Sequence, residues 1–261
     1  DLIRYCMEFG YQTFLIMPPA YYKGNTDKGV YDFYAEIIGQ MGFEWVAVDM
    51  EHGSISLSQL PDIFRALELG DTLPLVRLPQ GDEKECKQAL DAGASGVIIP
   101  MVNNADKLKK IINHCKWPPE GSRGVAFSRA NIFGHKFDDY KKEAQAPLII
   151  AMIEDLTAVN NLESILSVKG LDAILIGPYD LSASIGAVGE FSNSKYIKLT
   201  KSILRISKKN NIPIGMHIVE PSKSNVSDIL KQGYQFIACS IDSVMLRHSA
   251  QNYLSLFKQN K

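Results

Sequence analysis

Eight short, largely apolar runs punctuate the chain: Thr13–Met17, Trp45–Val48, Leu73–Arg77, Gly96–Pro100, Leu148–Ile153, Ala173–Ile176, Ile212–Met216 and Phe236–Cys239. Most are apolar throughout rather than alternating, which is the pattern of parallel strands covered on both faces. Helical periodicity fills the gaps. Leu57, Leu60, Phe64 and Leu67 share one face, as do Leu108, Ile111, Ile112 and Cys115. Gly42, Gly70, Gly93, Gly170 and Gly233 each close a helical pattern a few residues before the next run, the place for a left-handed helix stop. This alternation within 261 residues predicts an α/β fold, a single (β/α)8 TIM barrel domain spanning residues 1–261. A doubly wound sheet is the rival, but it usually carries a phosphate-binding glycine pattern after its first strand. Here Pro18-Pro19-Ala20 follows the first run, and no GxGxxG or Walker loop occurs. The stretch Lys116–Pro147 is too long for a simple connection and reads as an elaborated loop before the fifth strand.

Charge and composition exclude several classes. Lys+Arg of 28 against Asp+Glu of 29 gives no support to a nucleic-acid footprint, which would need a basic face. The hydrophobic share of 46% supports a sizeable core, yet no apolar run approaches the roughly 18–20 residues of a membrane helix. The segment Asp1-Leu2-Ile3-Arg4-Tyr5-Cys6 lacks the basic-then-apolar pattern of a secretory signal. Cys6, Cys86, Cys115 and Cys239 show no short spacing and sit among apolar neighbours, the usage of buried thiols in a reducing cytoplasm.

A (β/α)8 barrel carries its site at the C-terminal ends of the strands. The polar residues there are Asp49, Glu51 and His52 after the second run, Arg77 after the third, and Glu154 and Asp155 after the fifth. Tyr179 and Asp180 follow the sixth, His217 and Glu220 the seventh, and Ser240 and Asp242 the eighth. Carboxylates, one Arg and His side chains on one mouth suit a hard divalent cation beside a general base. Glu154 and Asp180 end adjacent strands, where two carboxylates repel unless a cation lies between them; helix capping is the plain alternative. Arg77 offers a planar fork to a carboxylate or enolate oxygen, or an internal salt bridge to Asp49 or Glu154. Backbone N–H groups of Tyr179 and Asp180, at a helix start, suit a substrate carboxylate. His217, Glu220, Ser240 and Asp242 form no motif and read as supporting or surface groups.

Val48-Asp49-Met50-Glu51-His52-Gly53, Val76-Arg77-Leu78-Pro79, Ile153-Glu154 and Ile176-Gly177-Pro178-Tyr179-Asp180-Leu181-Ser182 resemble the HpcH/HpaI aldolase family. Ile99-Pro100-Met101-Val102 and Trp117-Pro118-Pro119-Glu120-Gly121-Ser122-Arg123-Gly124 extend the resemblance. These pieces occur in order over most of the chain, although Tyr21–Val30 has no counterpart. The resemblance implies a class II, metal-dependent pyruvate aldolase of the phosphoenolpyruvate/pyruvate superfamily. Glu154 and Asp180 would hold Mg2+, Mn2+ or Co2+. His52 would be the base, Asp91 its orienting carboxylate, and Asp49 a further active-site acid. Arg77 would face the substrate, and the pyruvate carboxylate would lie on Tyr179 and Asp180. Arg123 and Arg129 would lie in a loop near the site, often at a subunit interface.

The expected reaction is reversible cleavage of a 4-hydroxy-2-oxo acid to pyruvate and an aldehyde. A citrate-lyase-like CoA thioester lyase is the alternative within the superfamily, and a catalytically idle 2-oxo-acid-binding barrel the alternative outside catalysis. A Schiff-base route needs a barrel lysine, and none of the eight runs contains one. Met152 departs from the family's Gln two residues before Glu154; it shares the inward face and offers no useful donor. The last helix, Ser243–Phe257 with Val244, Leu254, Leu256 and Phe257, is expected to be exchanged between subunits of a homo-oligomer, a trimer or hexamer.

Overall fold

The computed structural model describes residues 43–258. The expected first strand Thr13–Met17, the Tyr21–Val30 segment and Cys6 lie outside the described residues. Seven parallel strands form one sheet in sequential order: β1 (Trp45–Asp49), β2 (Leu73–Arg77), β3 (Gly96–Ile99), β4 (Leu148–Ile153), β5 (Ala173–Ile176), β6 (Ile214–Ile218) and β7 (Phe236–Cys239). The connecting helices are α1 (Leu60–Leu69), α2 (Glu83–Asp91), α3 (Ala105–Cys115), α4 (Phe137–Glu143), α5 (Leu156–Asn160), α6 (Leu162–Leu166), α7 (Pro178–Ala183), α8 (Ser194–Lys209) and α9 (Lys223–Gln232). A final helix, α10, spans Asp242–Lys258.

The sheet buries both faces. Val46, Val48, Val76, Val97, Ile99, Ile149, Ile153, Ile174 and Ile176 point outward and pack under the helices. Ala47, Leu75, Ile98, Ile150, Met152, Ala173, Leu175 and Ala238 form a separate inner cluster. That cluster joins residues from β1 to β7, so the sheet must curl around it. The rings of Trp45 and Phe236, at the starts of the two outermost strands, meet edge-on at 6.4 Å. The seven described strands thus form a curled half-barrel.

One strand departs from its sequence expectation at both ends. The run Ile212–Met216 predicts a strand from Ile212, but β6 begins at Ile214 and continues through His217. Ile212 N–H is consumed in closing α8 onto the Ser207 carbonyl, and Asn211 takes a left-handed φ of 55°. Pro213 has no N–H to give. The strand therefore ends two residues later than its apolar character, and a histidine becomes part of it.

The Lys116–Pro147 connection folds at the N-terminal end of the sheet, as a helix-to-strand link must. Trp117, Tyr140 and Ala144 make a small core of their own, with Ala130 and Phe137 against it. Arg129 reaches the Ala92 carbonyl at 2.9 Å and pairs with Glu68. Arg123 is only 1% exposed and lies over the Trp117 and Tyr140 rings. Within one chain neither arginine reaches the C-terminal strand ends.

Candidate active site

In a strand, residues two apart share a face. Ala47 and Leu75 belong to the inner cluster, so Asp49 and Arg77, two residues on, also point inward. Arg77 Nε donates to Asp49 Oδ1 at 2.7 Å and Nη2 donates to Oδ2, a bidentate pair in a buried setting. Arg77 Nη1 lies 3.1 Å from Glu51 Oε2. Burial alone would raise the Asp49 pKa, but the bond and charge of Arg77 outweigh it and hold the carboxyl below its ordinary value. Burial also opposes the Arg77 charge, and Asp49 more than offsets it. Asp49 Oδ1 further accepts from the N–H of Glu51 at 3.0 Å, which fixes the turn after β1. Gly53 completes that turn, because a Cβ there would collide with the Asp49 carbonyl.

Glu154 follows β4 on the same inward face, two residues past Met152. It is buried, and its Oε2 accepts from Met101 N–H at 2.8 Å. Met101 holds a φ of 50°, and its carbonyl accepts from Lys107 Nζ at 2.8 Å, so the loop after β3 is tied in place around the carboxylate. Gly177 makes room on the other side: a Cβ there would stand 2.8 Å from Glu154 Cγ and would overlap Oε1. Burial, first, and then the charges of Glu51 and Asp180 push the Glu154 pKa up to about 7, against the Met101 N–H and Arg77. Asp180 stands exposed in the first turn of α7. Glu51 is likewise raised, by burial before all else, with Asp49 and Asp180 adding to it.

Three carboxylates, Glu51, Glu154 and Asp180, thus repel one another at one end of the sheet. This donor set fits a hard cation that retains water or substrate oxygens. Among the described residues no three His, Cys, Asp or Glu side chains already converge as a closed metal cage. Glu154 and Asp180 would supply two ligands and leave the remaining positions open.

The other expected residues divide by position. Met152 lies in the inner cluster, directly below Glu154. Tyr179 is exposed in α7, whose first intrahelical bond runs from Leu181 N–H to the Gly177 carbonyl. The N–H groups of Tyr179 and Asp180 therefore precede the helical ladder. The His52 side chain is 63% exposed at the mouth, with Nε2 3.8 Å from Glu51 Oε2. Asp91 lies elsewhere. It ends α2, next to Ser95, whose N–H donates to the Pro74 carbonyl at the start of β2. His52 and Asp91 of one chain are thus at opposite ends of the sheet, roughly 10 Å or more apart at about 3.3 Å per strand residue. Asp91 Oδ1 is buried and, among the described residues, has no hydrogen-bond partner, and burial raises its pKa against the charges of Arg123 and Lys87.

Two groups read from sequence as peripheral belong to the mouth. His217 is the last inward residue of β6, two past Gly215, and Arg77 and Asp49 both act on its charge. Burial foremost, with Arg77 adding, holds the imidazole down at about 4. Asp242, at the start of α10, is pushed up to about 8 by burial, with Asp49 adding and the Ser243 N–H opposing. Ser240 closes β7 with a φ of 64°, and its Oγ donates to the Val219 carbonyl at 3.0 Å. The signal for His217 was the period-two alternation from Gly215, hidden by the displaced strand boundary.

The profile described as HpcH/HpaI aldolase/citrate lyase matches residues 29–249. The hydroxypyruvate/pyruvate aldolase of Roseobacter denitrificans is 34% identical over 231 residues, 87% of this chain and 89% of that protein. The 4-hydroxy-2-oxovalerate aldolase of Novosphingobium aromaticivorans is 36% identical over 227 residues, 86% of each chain. In fold, the chain is similar to the HpcH/HpaI aldolase from Desulfitobacterium hafniense, with a TM-score of 0.82, 24% identity, and coverage of 98% of this chain and 96% of that one.

Proposed function

The chain belongs to the HpcH/HpaI aldolase/citrate lyase family and is an aldolase-type lyase, and on that premise we propose a divalent-metal-dependent aldolase that reversibly cleaves a 4-hydroxy-2-oxo acid to pyruvate and an aldehyde. The observation that carries this reading is the packing of Glu154 against Gly177, which brings a buried carboxylate to the same mouth as Asp180, Glu51 and Arg77.

A cation on Glu154 and Asp180 would polarise the 2-oxo group and neutralise the two carboxylates. The chain's own residues do the rest. Asp49 and Glu51 hold the Arg77 fork in one orientation, leaving N–H groups to receive negative charge that develops on the substrate oxygen. The N–H groups of Tyr179 and Asp180 receive the carboxylate. His52 takes the proton of the 4-hydroxyl; the C3–C4 bond breaks, its electron pair passes to the oxo-acid half, and the aldehyde leaves. Protonation at C3 then gives pyruvate. Asp91 orients His52 in this scheme only across a contact between two copies of the chain, because one chain holds them at opposite ends. Met152 lines the floor of the site without a donor.

A Schiff-base mechanism has no lysine to use: the described strands contain none, and Lys169 pairs at the surface with Glu120 at 3.7 Å. The test is a condensation screen of pyruvate with a panel of aldehydes under Mg2+, Mn2+ and Co2+, with a chelator control. Product that survives chelation, or a borohydride-trapped pyruvyl adduct on lysine, would overturn the metal reading.

A further inference from the structure

His217 presents an unused acceptor to the interior of the mouth. Its ring is bonded through one nitrogen to the backbone of Ser240, while Nε2 is buried and, among the described residues, has no hydrogen-bond partner. The backbone bond raises the imidazole's proton affinity, so it is the ring N–H that donates and the Ser240 carbonyl that accepts. A neutral ring with one nitrogen protonated leaves the other as an acceptor. The Arg77 guanidinium and burial both oppose a second proton, so Nε2 keeps its lone pair at neutral pH.

The surroundings limit what this acceptor can receive. Arg77 gives Nε and one Nη2 proton to Asp49 and sets Nη1 beside Glu51, and its remaining N–H groups point to negative oxygens rather than to an imidazole. The floor below is apolar: Met152, Leu175, Ala238 and Ile98. A buried acceptor over an apolar floor costs free energy until a donor arrives. A carboxylate or a carbonyl has no proton to offer. A hydroxyl does, and it can accept from a neighbouring N–H as well. His217 shares the barrel interior with Arg77 rather than the outer loops, so the hydroxyl must belong to the oxo-acid half of the substrate, not to the aldehyde.

We propose that His217 is a specificity-determining residue whose Nε2 accepts a hydrogen bond from a hydroxyl on C3 of the 2-oxo acid, favouring a hydroxylated donor over pyruvate. This rests on the aldolase reading, with the oxo acid seated at Arg77 and Glu154. A site built to bind a substrate hydroxyl discriminates strongly against the analogue without it, because its own polar group is then left unpaired.

The experiment measures kcat/KM for hydroxypyruvate and for pyruvate with one common aldehyde, in the wild type, His217→Leu and His217→Asn. The ratio of the two donors should fall about 10-fold or more in His217→Leu, and by less in His217→Asn, whose amide oxygen remains an acceptor. Imidazole 15N spectra of the wild type give a readout independent of turnover. The Nε2 resonance of His217 should be that of an unprotonated nitrogen and should move with hydroxypyruvate more than with pyruvate. An unchanged donor ratio in folded His217→Leu, or equal loss for both donors, overturns the assignment. A wild type that condenses neither donor with any metal overturns the aldolase reading itself, a distinct outcome.

Discussion

Asp49 and Arg77 face each other with little water to screen them, and each is ionised because the other is. Breaking such a pair from one side costs more than the pair contributes, since a buried charge is left over. Asp49→Asn should destabilise the protein by roughly 3–5 kcal/mol, read as a lower denaturant midpoint at unchanged slope. Glu51→Gln should cost much less, because Asp49 still holds the guanidinium. Glu154 and Asp180 call for a different measurement. Neither is held by a partner cation in the way Asp49 is, so their removal should spare the fold and abolish metal binding. Glu154→Ala and Asp180→Ala should each lose most activity and most bound metal, by elemental analysis of the purified variants. Full metal content and activity in both would place the site elsewhere. That these residues gather at one end of the sheet was legible in the sequence, because each stands at or just past a strand end. How they pair was not: Arg77 was open to Asp49 or Glu154, and only register and side-chain direction select Asp49 with Glu51.

The strands and turns show where sequence reading stops. All seven described strands were legible as apolar runs, since parallel strands buried on both faces leave no alternation to confuse. The β6 boundary was not, because an apolar Ile212 served the end of α8 and a polar His217 served the strand. A similar constraint lies in Gly177, whose role is space rather than turn geometry. Gly177→Ala should displace the Glu154 carboxylate while the strand survives, lowering activity on the order of 10-fold or more with a change in melting temperature of only a few degrees. The strand histidine makes a prediction of its own. The folded value near 4 lies below the ordinary 6.5, so the native state resists a proton that the unfolded chain accepts. The associated stability is present above pH 6.5 and is lost as pH falls toward 4, on the order of 3 kcal/mol across that window. Asp242 has the opposite sense: raised from 3.8 to about 8, it costs stability as pH rises through that range. His217→Leu should flatten the acid limb of the unfolding free energy below pH 6.5, measured by denaturant titration. A limb of unchanged slope would mean that other groups govern it.

At the scale of the whole molecule, two features find no partner among the described residues. The first is the last helix. Leu246, Tyr253 and Leu254 are spaced seven and eight residues apart, so they form one stripe on α10, and they are 59%, 62% and 58% exposed. A stripe of large apolar side chains in water is the mark of a surface that another element covers. The second is Asp91, which ends α2 with a buried oxygen that has no hydrogen-bond partner among the described residues, while its expected histidine stands at the far end of the sheet. A second copy that docks the N-terminal end of one sheet near the mouth of another would answer both needs. Light scattering should therefore give a mass of several chains at micromolar concentration. Tyr253→Glu with Leu254→Glu should lower that mass by placing two charges in the stripe, where neither has a partner. Activity should fall along with the mass while circular dichroism stays native, because each monomer keeps Glu154, Asp180 and Arg77 but loses the carboxylate proposed to orient His52. Asp91→Asn should reproduce the loss of activity without dissociation. A wild-type chain that is monomeric and fully active at micromolar concentration would remove the need for a second copy and return Asp91 to a purely structural role.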